Sequence, residues 1–318
     1  MKNNPSVSIV TPSYNQAPFL EKAIRSVLEQ DYPDVEYLVA DGGSTDGSVE
    51  IIKNYADRIH WWVSENDKGQ ADGINKGLQQ ASGDIVAWLN SDDFFKPGAI
   101  SAAVKSLQEN PGAGFVYGDL QVVNEADETT NILTYGDWKL KGLMEFKIIG
   151  QPSVFMRREV LAAAGYLDES YHYLLDHHLW LRMAMIAEPK YVPQLWAGEH
   201  YHPGSKNAAH AAEFGAEAKR IVGWMHSQPA LAEILKTHHR KVVAGAERLN
   251  AFYLFDAQDY HAALRAYWRS LRTHPSAAVQ DWRRILYATF SPLGLDKARQ
   301  AYLQRRKRKY NKNEPTGS

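Results

Sequence analysis

The chain has 318 residues, a formal net charge of −1 and no cysteine. This length is sufficient for one or two domains with a hydrophobic core, and the near-neutral charge gives no indication of a nucleic-acid partner. The absence of cysteine excludes disulfides, thiolate metal sites and a cysteine nucleophile, and it fits a reducing compartment such as the cytoplasm.

The first part of the chain alternates β-rich runs with amphipathic stretches. Strands are predicted over residues 7–11, 37–40, 59–63 and 85–89, and helical periodicity separates them at 19–28, 49–55 and 71–81. This order is typical of a mostly parallel sheet with helices on both faces. We therefore expect an α/β fold.

The composition changes in the second part. Short strands are predicted over residues 115–117, 121–124 and 190–192, and helices over 159–164 and 177–187. From about Ala208 the β-rich runs disappear, and four or five helices are predicted, with breaks near Pro229, Pro275 and Pro292. The shift predicts a first domain over residues 1–206 and a helical region over 207–318.

Polar, turn-forming residues follow each of the first four predicted strands. They occupy positions 11–15, 41–47, 67–69 and 90–93. Each loop alone can be explained as turn chemistry. Because the carboxyl ends of parallel strands meet at one edge of an open sheet, where ligands bind, the four loops together indicate one binding crevice.

The adjacent acids Asp92 and Asp93 are the most informative feature of these loops. Adjacent carboxylates repel each other unless a cation lies beside them, and hard divalent cations bind carboxylates and bridge to phosphates. A solvated acidic turn before Pro97 is the alternative. The chain has neither a P-loop nor a Gly-x-Gly-x-x-Gly motif after its first strand. A metal with a diphosphate ligand is therefore expected.

Six segments together resemble the family 2 glycosyltransferases of the GT-A fold. They are VSIVTPSYNQAPFLEKAIRSVLEQ, EYLVADGGSTDGSVEII, SENDKGQADGINKGLQQASGDIVAWLNSDD, GQPSVFMRREVLAAAGYLDES, LLDHHLWLRMA and HPGSKN, in the family's order over about residues 5–206. The resemblance implies a Rossmann-like GT-A fold for nucleotide-diphosphate sugars, followed here by a C-terminal helical extension. It also implies transfer of a sugar to an acceptor hydroxyl with inversion.

The resemblance also implies roles for individual residues. Asp176 matches the general base, Asp92 and Asp93 match the ligands of Mn²⁺ or Mg²⁺, and Gln151 and Pro152 border the acceptor side. The positions matched to the nucleotide sugar are Thr11, Pro12, Tyr14, Asn15, Asp41, Asp72, Asn75, Asp92 and Lys206. His177 and His178 follow the base and could tune it, contact the acceptor or simply pack; we place His177 on the acceptor side.

The sequence departs from the family's pattern at three positions. Gly42 stands where a second acid is common, Asn90 where the metal motif often begins with Asp, and His178 where an acid often follows the base. The first departure weakens any inference about which nucleobase is recognised. Asp176, which matches the general base, is retained, so the three departures do not argue against transferase activity.

Several alternatives remain open at this point. His200 and His202 could be a metal pair, although zinc takes three or four ligands. Four aromatic side chains could stack on sugars or pack in the core: Trp138, Tyr173, Trp180 and Trp196. A sugar nucleotidyltransferase would normally carry a Gly-rich basic first loop. A non-enzymatic nucleotide-sugar sensor or scaffold would be favoured by loss of the metal acids or the base.

A basic cluster near the C-terminus departs from the overall neutrality. It comprises Arg305, Arg306, Lys307, Arg308, Lys309 and Lys312. Such a cluster suits an anionic membrane surface, or it is a solvated tail. No stretch reaches the ~18–20 apolar residues of a spanning helix. We therefore expect a soluble, cytoplasmic protein that is peripheral at the inner face of the membrane. We expect its acceptor to be a saccharide or a lipid-linked molecule, used in the synthesis of cell-surface polysaccharide or lipid-linked oligosaccharide.

Overall fold

The computed structural model describes residues 4–201 and 210–290. Contacts within the chain divide it into two compact units. The first comprises Met1–Val123, Ile132–Leu140 and Ile149–His200, and the second comprises Asn124–Asn131, Lys141–Ile148 and Tyr201–Ser318. Lys206, His202, Pro292 and the basic cluster lie outside the described residues.

Nine strands in the described residues form one mixed sheet, in the order β3-β2-β1-β4-β8-β6-β9-β5, with β7 paired to β6. They are β1 Val7–Ser13, β2 Val35–Asp41, β3 Trp61–Ser64, β4 Ile85–Trp88, β5 Asp93–Phe95, β6 Ala113–Val123, β7 Thr129–Leu133, β8 Val154–Arg157 and β9 Glu188–His200. The pairs β1–β2, β1–β4 and β2–β3 are parallel, as the sequence pattern predicts. Beyond β4 the pairing becomes mixed, because β8 runs antiparallel to both β4 and β6.

Twelve helices lie within the described ranges, and 3-10 turns occur at Gln151–Ser153, before β8, and at Pro229–Leu231. They are α1 Ala17–Leu28, α2 Ser48–Asn54, α3 Gln70–Gln80, α4 Ala99–Glu109, α5 Leu140–Met144, α6 Arg158–Ala164, α7 Leu175–Ala184, α8 Ala211–Ser227, α9 Ala232–Asp256, α10 Tyr260–Thr273, α11 Pro275–Val279 and α12 Trp282–Phe290. Helices α8–α12 belong to the second unit.

The core of the first unit follows from the sequence periodicity. Strands β1 and β4 are buried along their whole length, as expected for strands covered on both faces. Helix α1 turns the face of Leu20, Ile24 and Val27 toward the same cluster. This packing fixes the carboxyl ends of β1 and β4, where the polar loops begin.

Two predicted strands in the middle of the chain are one element in the structure. The predicted strands 115–117 and 121–124 belong to the continuous strand β6, which pairs with β9 through register shifts around Asp119. The predicted strand 190–192 is likewise part of the longer β9. Local irregularity, with Gly118 in β6 and Pro193 in β9, interrupts the sequence pattern but not the hydrogen-bonded ladder.

The second unit is helical in its described part from residue 210 onward. Helix α9 packs between α8 and α10; the rings of Phe214 and Tyr253 stack 3.8 Å apart between α8 and α9. Ser270 of α10 donates a hydrogen bond to the Ala244 carbonyl oxygen of α9 at 2.8 Å. Pro275 opens α11, at a break that the sequence predicts. In the described parts of the chain, no helix is both long enough and apolar enough to cross a membrane.

Candidate active site

The loops after β1 and β2 are tied together around Asp41. This side chain is 2 % exposed, and its Oδ2 accepts hydrogen bonds from the backbone of Gly43 and Ser44 and from Ser64 Oγ. Asn15, in the left-handed region at φ 52°, accepts from Thr45 N and donates its own N–H to Ser44 Oγ. Asp41 therefore organises the crevice wall with bonds inside the protein.

The predicted nucleoside-contacting residues of β1 differ in exposure. Thr11 is fully buried, and its hydroxyl oxygen accepts a hydrogen bond from Tyr37 at 3.0 Å. Pro12 is also buried, whereas Tyr14 is 61 % exposed and Asn15 is exposed. Tyr14 therefore presents an aromatic face at the end of β1, where a planar group can stack.

The space beside Gly42 is filled by Asp67. A Cβ at position 42 would lie 2.6 Å from Asp67 Oδ2, and a Cβ at Gly73 would lie 3.0 Å from the same atom. A second acid at position 42 would therefore collide with a carboxylate that arrives from the loop after β3. Gly42 thus leaves room for the Asp67 carboxylate, which lies close to the Tyr14 ring, since an atom of that ring is 3.3 Å from the same Cβ position.

Asp72 and Asn75 of α3 have different surroundings. Asp72 accepts a hydrogen bond from Lys68 N and lies 3.6 Å from Lys76 Nζ. Asn75 is buried, and its carboxamide donates to the Leu167 carbonyl oxygen at 2.9 Å and accepts from Leu167 N at 3.0 Å. The carboxamide of Asn75 thus fastens α3 to the loop after α6, which favours a positioning role.

Three carboxylates converge near the end of β4. Asp93 is 6 % exposed and is the cross-strand partner of Glu199 on β9. Burial raises the pKa of Asp93 well above its ordinary value, and the negative charges of Asp92 and Glu199 add to the effect. Burial, with Asp92, also raises the pKa of Glu199 to about 7. The ionised forms of Asp93 and Glu199 are therefore disfavoured at this position.

Asn90 links this acidic site to the predicted acceptor side. Its Nδ2 donates to Asp93 Oδ2 at 2.9 Å and to Gln151 Oε1 at 3.1 Å, and its Oδ1 accepts from Gln70 Nε2 at 3.0 Å. Gln151 in turn donates to the Trp88 carbonyl oxygen at 2.7 Å. Because the Trp88 carbonyl oxygen can only accept, Gln151 must turn its amide nitrogen toward it and its Oε1 toward Asn90. Asn90 must then turn its own amide nitrogen toward Gln151, so the orientation of both carboxamides is fixed.

His200 braces the backbone of the acidic loop. Its Nδ1 lies 2.5 Å from the Asp92 carbonyl oxygen and its Nε2 lies 3.5 Å from Lys22 Nζ. The ring packs between Phe19 and Phe94, with centroids 5.0 and 5.5 Å away. A tautomer protonated on Nδ1 satisfies both nitrogens, so His200 has bonds inside the protein, and its predicted partner His202 lies outside the described residues.

Asp176 is the second residue of α7, whose N-cap is Leu174. It is half-buried, and its Oδ1 accepts from His177 N at 2.7 Å. Burial raises the pKa of Tyr135 well above its ordinary value, and the negative charges of Glu199 and Asp176 contribute in the same direction. Tyr135 therefore lies within electrostatic reach of both the acidic site and the predicted base.

The neighbouring histidines and tryptophans lie mostly in the core. His177 and His178 are 1 % and 2 % exposed, and the ring of His178 lies 4.2 Å from that of Tyr171. Trp180 is fully buried between Trp88 and Phe115, at 5.3 Å from each. Of the other aromatic residues that could stack on sugars, Trp196 is also fully buried, whereas Trp138 and Tyr173 are only half-buried. Core packing thus accounts for Trp180 and Trp196.

The arrangement suits a hard cation with a phosphate ligand. Asp92 and Asp93 offer oxygen ligands, which Mg²⁺ and Mn²⁺ prefer, and a bound cation would favour the ionised forms of these buried carboxyl groups. Across residues 4–201 and 210–290, no group of three or more His, Cys, Asp or Glu side chains is arranged as a metal site. Two carboxylates with the remaining positions filled by phosphate and water are typical of these metals.

Sequence reasoning missed Glu199, Tyr135 and Asp67. Glu199 lies in a stretch that reads only as the end of a strand, and β5–β9 pairing alone brings it opposite Asp93. Tyr135 follows β7, which the sequence does not predict. Asp67 had a signal, since it belongs to one of the four loops, but its contact with position 42 is visible only in three dimensions.

Comparisons with known proteins agree on the kind of protein this chain resembles. Residues 8–157 match the sequence model of "Glycosyl transferase family 2". A Campylobacter jejuni protein named GalNAc(5)-diNAcBac-PP-undecaprenol beta-1,3-glucosyltransferase is 35% identical over 127 residues, which is 39% of this chain and 40% of that protein. TuaG of Bacillus subtilis, assigned to teichuronic acid biosynthesis, is 32% identical over 49% of this chain and 63% of its own length. The chain thus matches less than two thirds of either relative.

Solved structures support the fold. Staphylococcus aureus TarS 1–349, in complex with UDP-GlcNAc, superposes with a TM-score of 0.60 at 15% identity, covering 88% of this chain and 92% of that one. The mannosyltransferase PcManGT of Pyrobaculum calidifontis, in complex with GDP-Man and Mn²⁺, gives a TM-score of 0.57 at 22% identity, covering 98% and 89%. At these identities the similarity establishes the architecture, which is the one that the sequence resemblance implies.

Proposed function

We propose that this chain, which has the GT-A fold and matches the glycosyltransferase family 2 model over residues 8–157, transfers a sugar from a nucleotide-diphosphate sugar to an acceptor hydroxyl with inversion. The observation that carries the proposal is the convergence of Asp92, Asp93 and Glu199 at the end of β4, linked through Asn90 to Gln151. A diphosphate, a cation and an acceptor can meet there.

The residues divide the work of the reaction. Asp176 takes the proton from the acceptor hydroxyl, a contribution of ~10²–10⁴-fold for such a base. The acceptor oxygen bonds to the anomeric carbon as the bond to the diphosphate oxygen breaks, and attack from the opposite face inverts the configuration. Asp92 and Asp93 would hold Mn²⁺ or Mg²⁺, which when bound stabilises the charge on the departing diphosphate.

The nucleoside is proposed to bind at the ends of β1 and β2. Tyr14 offers an exposed ring, and the Asp67 carboxylate stands next to Gly42, where the family often has its second acid. We assign Asp67 to hydrogen bonding with the base, alongside the loop that Asp41 organises. Thr11, Pro12 and Asn75 then support this wall from behind, while Asn15, Asp72, Asp92 and Lys206 complete the donor side.

The acceptor is proposed to be a saccharide or a lipid-linked saccharide used in cell-surface polysaccharide or lipid-linked oligosaccharide assembly. The name of the Campylobacter jejuni relative includes an undecaprenol-linked acceptor. Gln151 and Pro152 border the acceptor side of this proposal, and His177, which is 1 % exposed, supports that side from the core. We place residues 1–206 as the catalytic domain and the basic cluster of the 207–318 region at the anionic inner face of the membrane.

Removal of the metal tests the proposed function. Donor turnover should vanish in chelator and return with Mn²⁺ or Mg²⁺, and the product should be a nucleoside diphosphate, since release of pyrophosphate would indicate nucleotidyl transfer. Asp93→Ala should abolish cation-dependent binding of the nucleoside diphosphate while the melting temperature is retained. The control is Glu109→Gln, an exposed carboxylate on α4. Full activity in chelator would contradict the role of Asp92 and Asp93.

A further inference from the structure

The last two described helices carry an exposed apolar stripe. Val279, Trp282, Leu286 and Phe290 are 55, 52, 48 and 45 % exposed. Their spacing of three and four residues places Trp282, Leu286 and Phe290 on one face of α12, with Val279 one turn before it at the end of α11. Four large apolar side chains in a row differ from the scattered single exposures that any protein surface shows.

The opposite face of α12 holds the helix in place. Ile285 packs against a cluster that includes Ala266 and Tyr267 of α10, and Ala288 belongs to a second cluster with Phe255 of α9. The buried face therefore fixes the helix without help from the stripe. Changes to the stripe should leave the packing of the unit intact.

The sequence that contains the stripe is rich in basic residues. Between residues 260 and 290 there are five arginines and one carboxylate, Asp281. Two of these arginines, Arg269 and Arg284, form ion pairs with Glu247 and Asp256 of α9. The sequence from 260 to 318 has thirteen Lys and Arg against three Asp and Glu. Arg283 is exposed beside the stripe, with its guanidinium 5.3 Å from the Trp282 ring. The whole chain has a net charge of −1, so positive charge is concentrated in this part.

We propose that α12 lies flat on the surface of an anionic lipid bilayer, with the stripe inserted at the level where headgroups meet acyl chains. A helix with Trp, Leu and Phe on one face and basic residues around it is the composition of an interfacial helix. Trp favours the membrane–water interface, and arginine pairs with lipid phosphates. Pairing with a second copy would bring two basic surfaces together, which like-charge repulsion opposes.

Membrane binding through the stripe differs from binding through the basic cluster in its response to salt. Salt screens the attraction between the basic cluster and the lipids, but it does not screen the burial of the apolar side chains of the stripe. It is also independent of sugar transfer. Binding should therefore depend on anionic lipid and on Trp282 and Leu286, with or without a donor.

A fluorescent label tests the inserted face. Since the chain has no cysteine, Leu286→Cys can be labelled with NBD in the full-length protein. We expect its emission to rise and shift to the blue with phosphatidylglycerol vesicles, and to be quenched by lipids carrying a shallow acyl-chain quencher. The matched control is Lys105→Cys on α4, at a side chain that is 75% exposed; its emission should not change. An unchanged signal at position 286, or an equal change at 105, would overturn the proposal.

Unlabelled variants test the contribution of the stripe. In vesicle flotation, Trp282→Ser/Leu286→Ser should bind anionic vesicles at least about tenfold more weakly than the unaltered protein, with an unchanged melting temperature. Equal flotation would exclude insertion. If the NBD signal instead rises with protein concentration in the absence of vesicles, and light scattering shows a dimer that the double variant loses, the stripe is a self-association surface and the proposal is wrong.

Discussion

Asp176 enters α7 two positions after the N-cap, Leu174, so its carboxylate is not the capping group of that helix. A carboxylate in the first turn is kept ionised by the helix dipole, as a base must be. We predict that Asp176→Asn retains its melting temperature and its donor affinity but loses sugar transfer by ~10²-fold or more. Thermal unfolding, donor titration and a transfer assay would measure the three quantities.

Glu169→Gln is the matched control for this prediction, since Glu169 is an exposed carboxylate in the loop before α7. It should transfer normally. Near-normal transfer by Asp176→Asn would show that another carboxylate takes the proton, and Asp168 would then be the next candidate.

A second prediction concerns Asn90, because its side-chain amide donates hydrogen bonds to both Asp93 and Gln151. Asn90→Ala leaves the Asp93 carboxylate without this charge-assisted bond, and a lost bond of that kind typically weakens a site by roughly tenfold or more. We expect cation-dependent binding of a nucleoside diphosphate to weaken to that extent in isothermal titration.

Gln70→Ala is the control, since Gln70 donates to the Oδ1 of Asn90. Its effect should be several-fold smaller. Unchanged binding by Asn90→Ala would mean that Asp93 is oriented by other contacts.

The side chains of the site could be predicted from the sequence to different degrees. Asp92 and Asp93 are recognisable because adjacent acids at a strand end repel each other unless a cation lies beside them. Asn75 looks equally polar in the sequence, yet the fold engages both ends of its carboxamide with Leu167. Glu199 gives no sequence signal, because its importance arises from pairing with a strand more than a hundred residues earlier.

The β5–β9 pair predicts how stability depends on pH. The folded-state pKa of Glu199 is about 7, above its ordinary 4.5, so between these values the folded protein binds more protons than the unfolded chain. The free energy of unfolding should therefore fall as pH rises through this window. In chelator, the melting temperature at about pH 8 should be lower than at about pH 5, in part because of this group.

Glu199→Gln removes the titrating carboxylate and should flatten this profile, which differential scanning calorimetry can record. Mn²⁺ should raise the melting temperature more at the higher pH, since deprotonated carboxylates bind the cation. An identical profile for Glu199→Gln would show that the buried pair with Asp93 does not control the effect.

Strands and helices were predictable where each carries its own pattern. The βαβα order of β1–β4 is visible because buried parallel strands are short apolar runs between amphipathic helices. Strand β8 was missed, since its four residues between a 3-10 turn and α6 give too short a pattern. Strand β9 contains Pro189 and Pro193, which argue against a strand in the sequence and are tolerated in the structure.

Charge is unevenly distributed along the whole chain, and this predicts the effect of a truncation. Removing residues 303–318 deletes the basic cluster, each of whose residues contributes roughly 1 kcal/mol near an anionic surface. We expect donor hydrolysis to be unchanged and binding to anionic vesicles to weaken. Flotation at two salt concentrations measures this, since the lost part should be the salt-sensitive one. Unchanged flotation would assign membrane binding to other surfaces.

The two hydrogen bonds between Asn75 and Leu167 affect how the chain folds during its synthesis. The two residues are 92 positions apart, so during synthesis Asn75 is made well before Leu167. Long-range contacts of this kind slow folding, and they leave partly folded intermediates open to aggregation. The stretch that matches the glycosyltransferase family 2 model, residues 8–157, ends before Leu167. We therefore expect an excised fragment of that length to fold poorly, because α3 would lack the hydrogen bonds that Asn75 makes with Leu167.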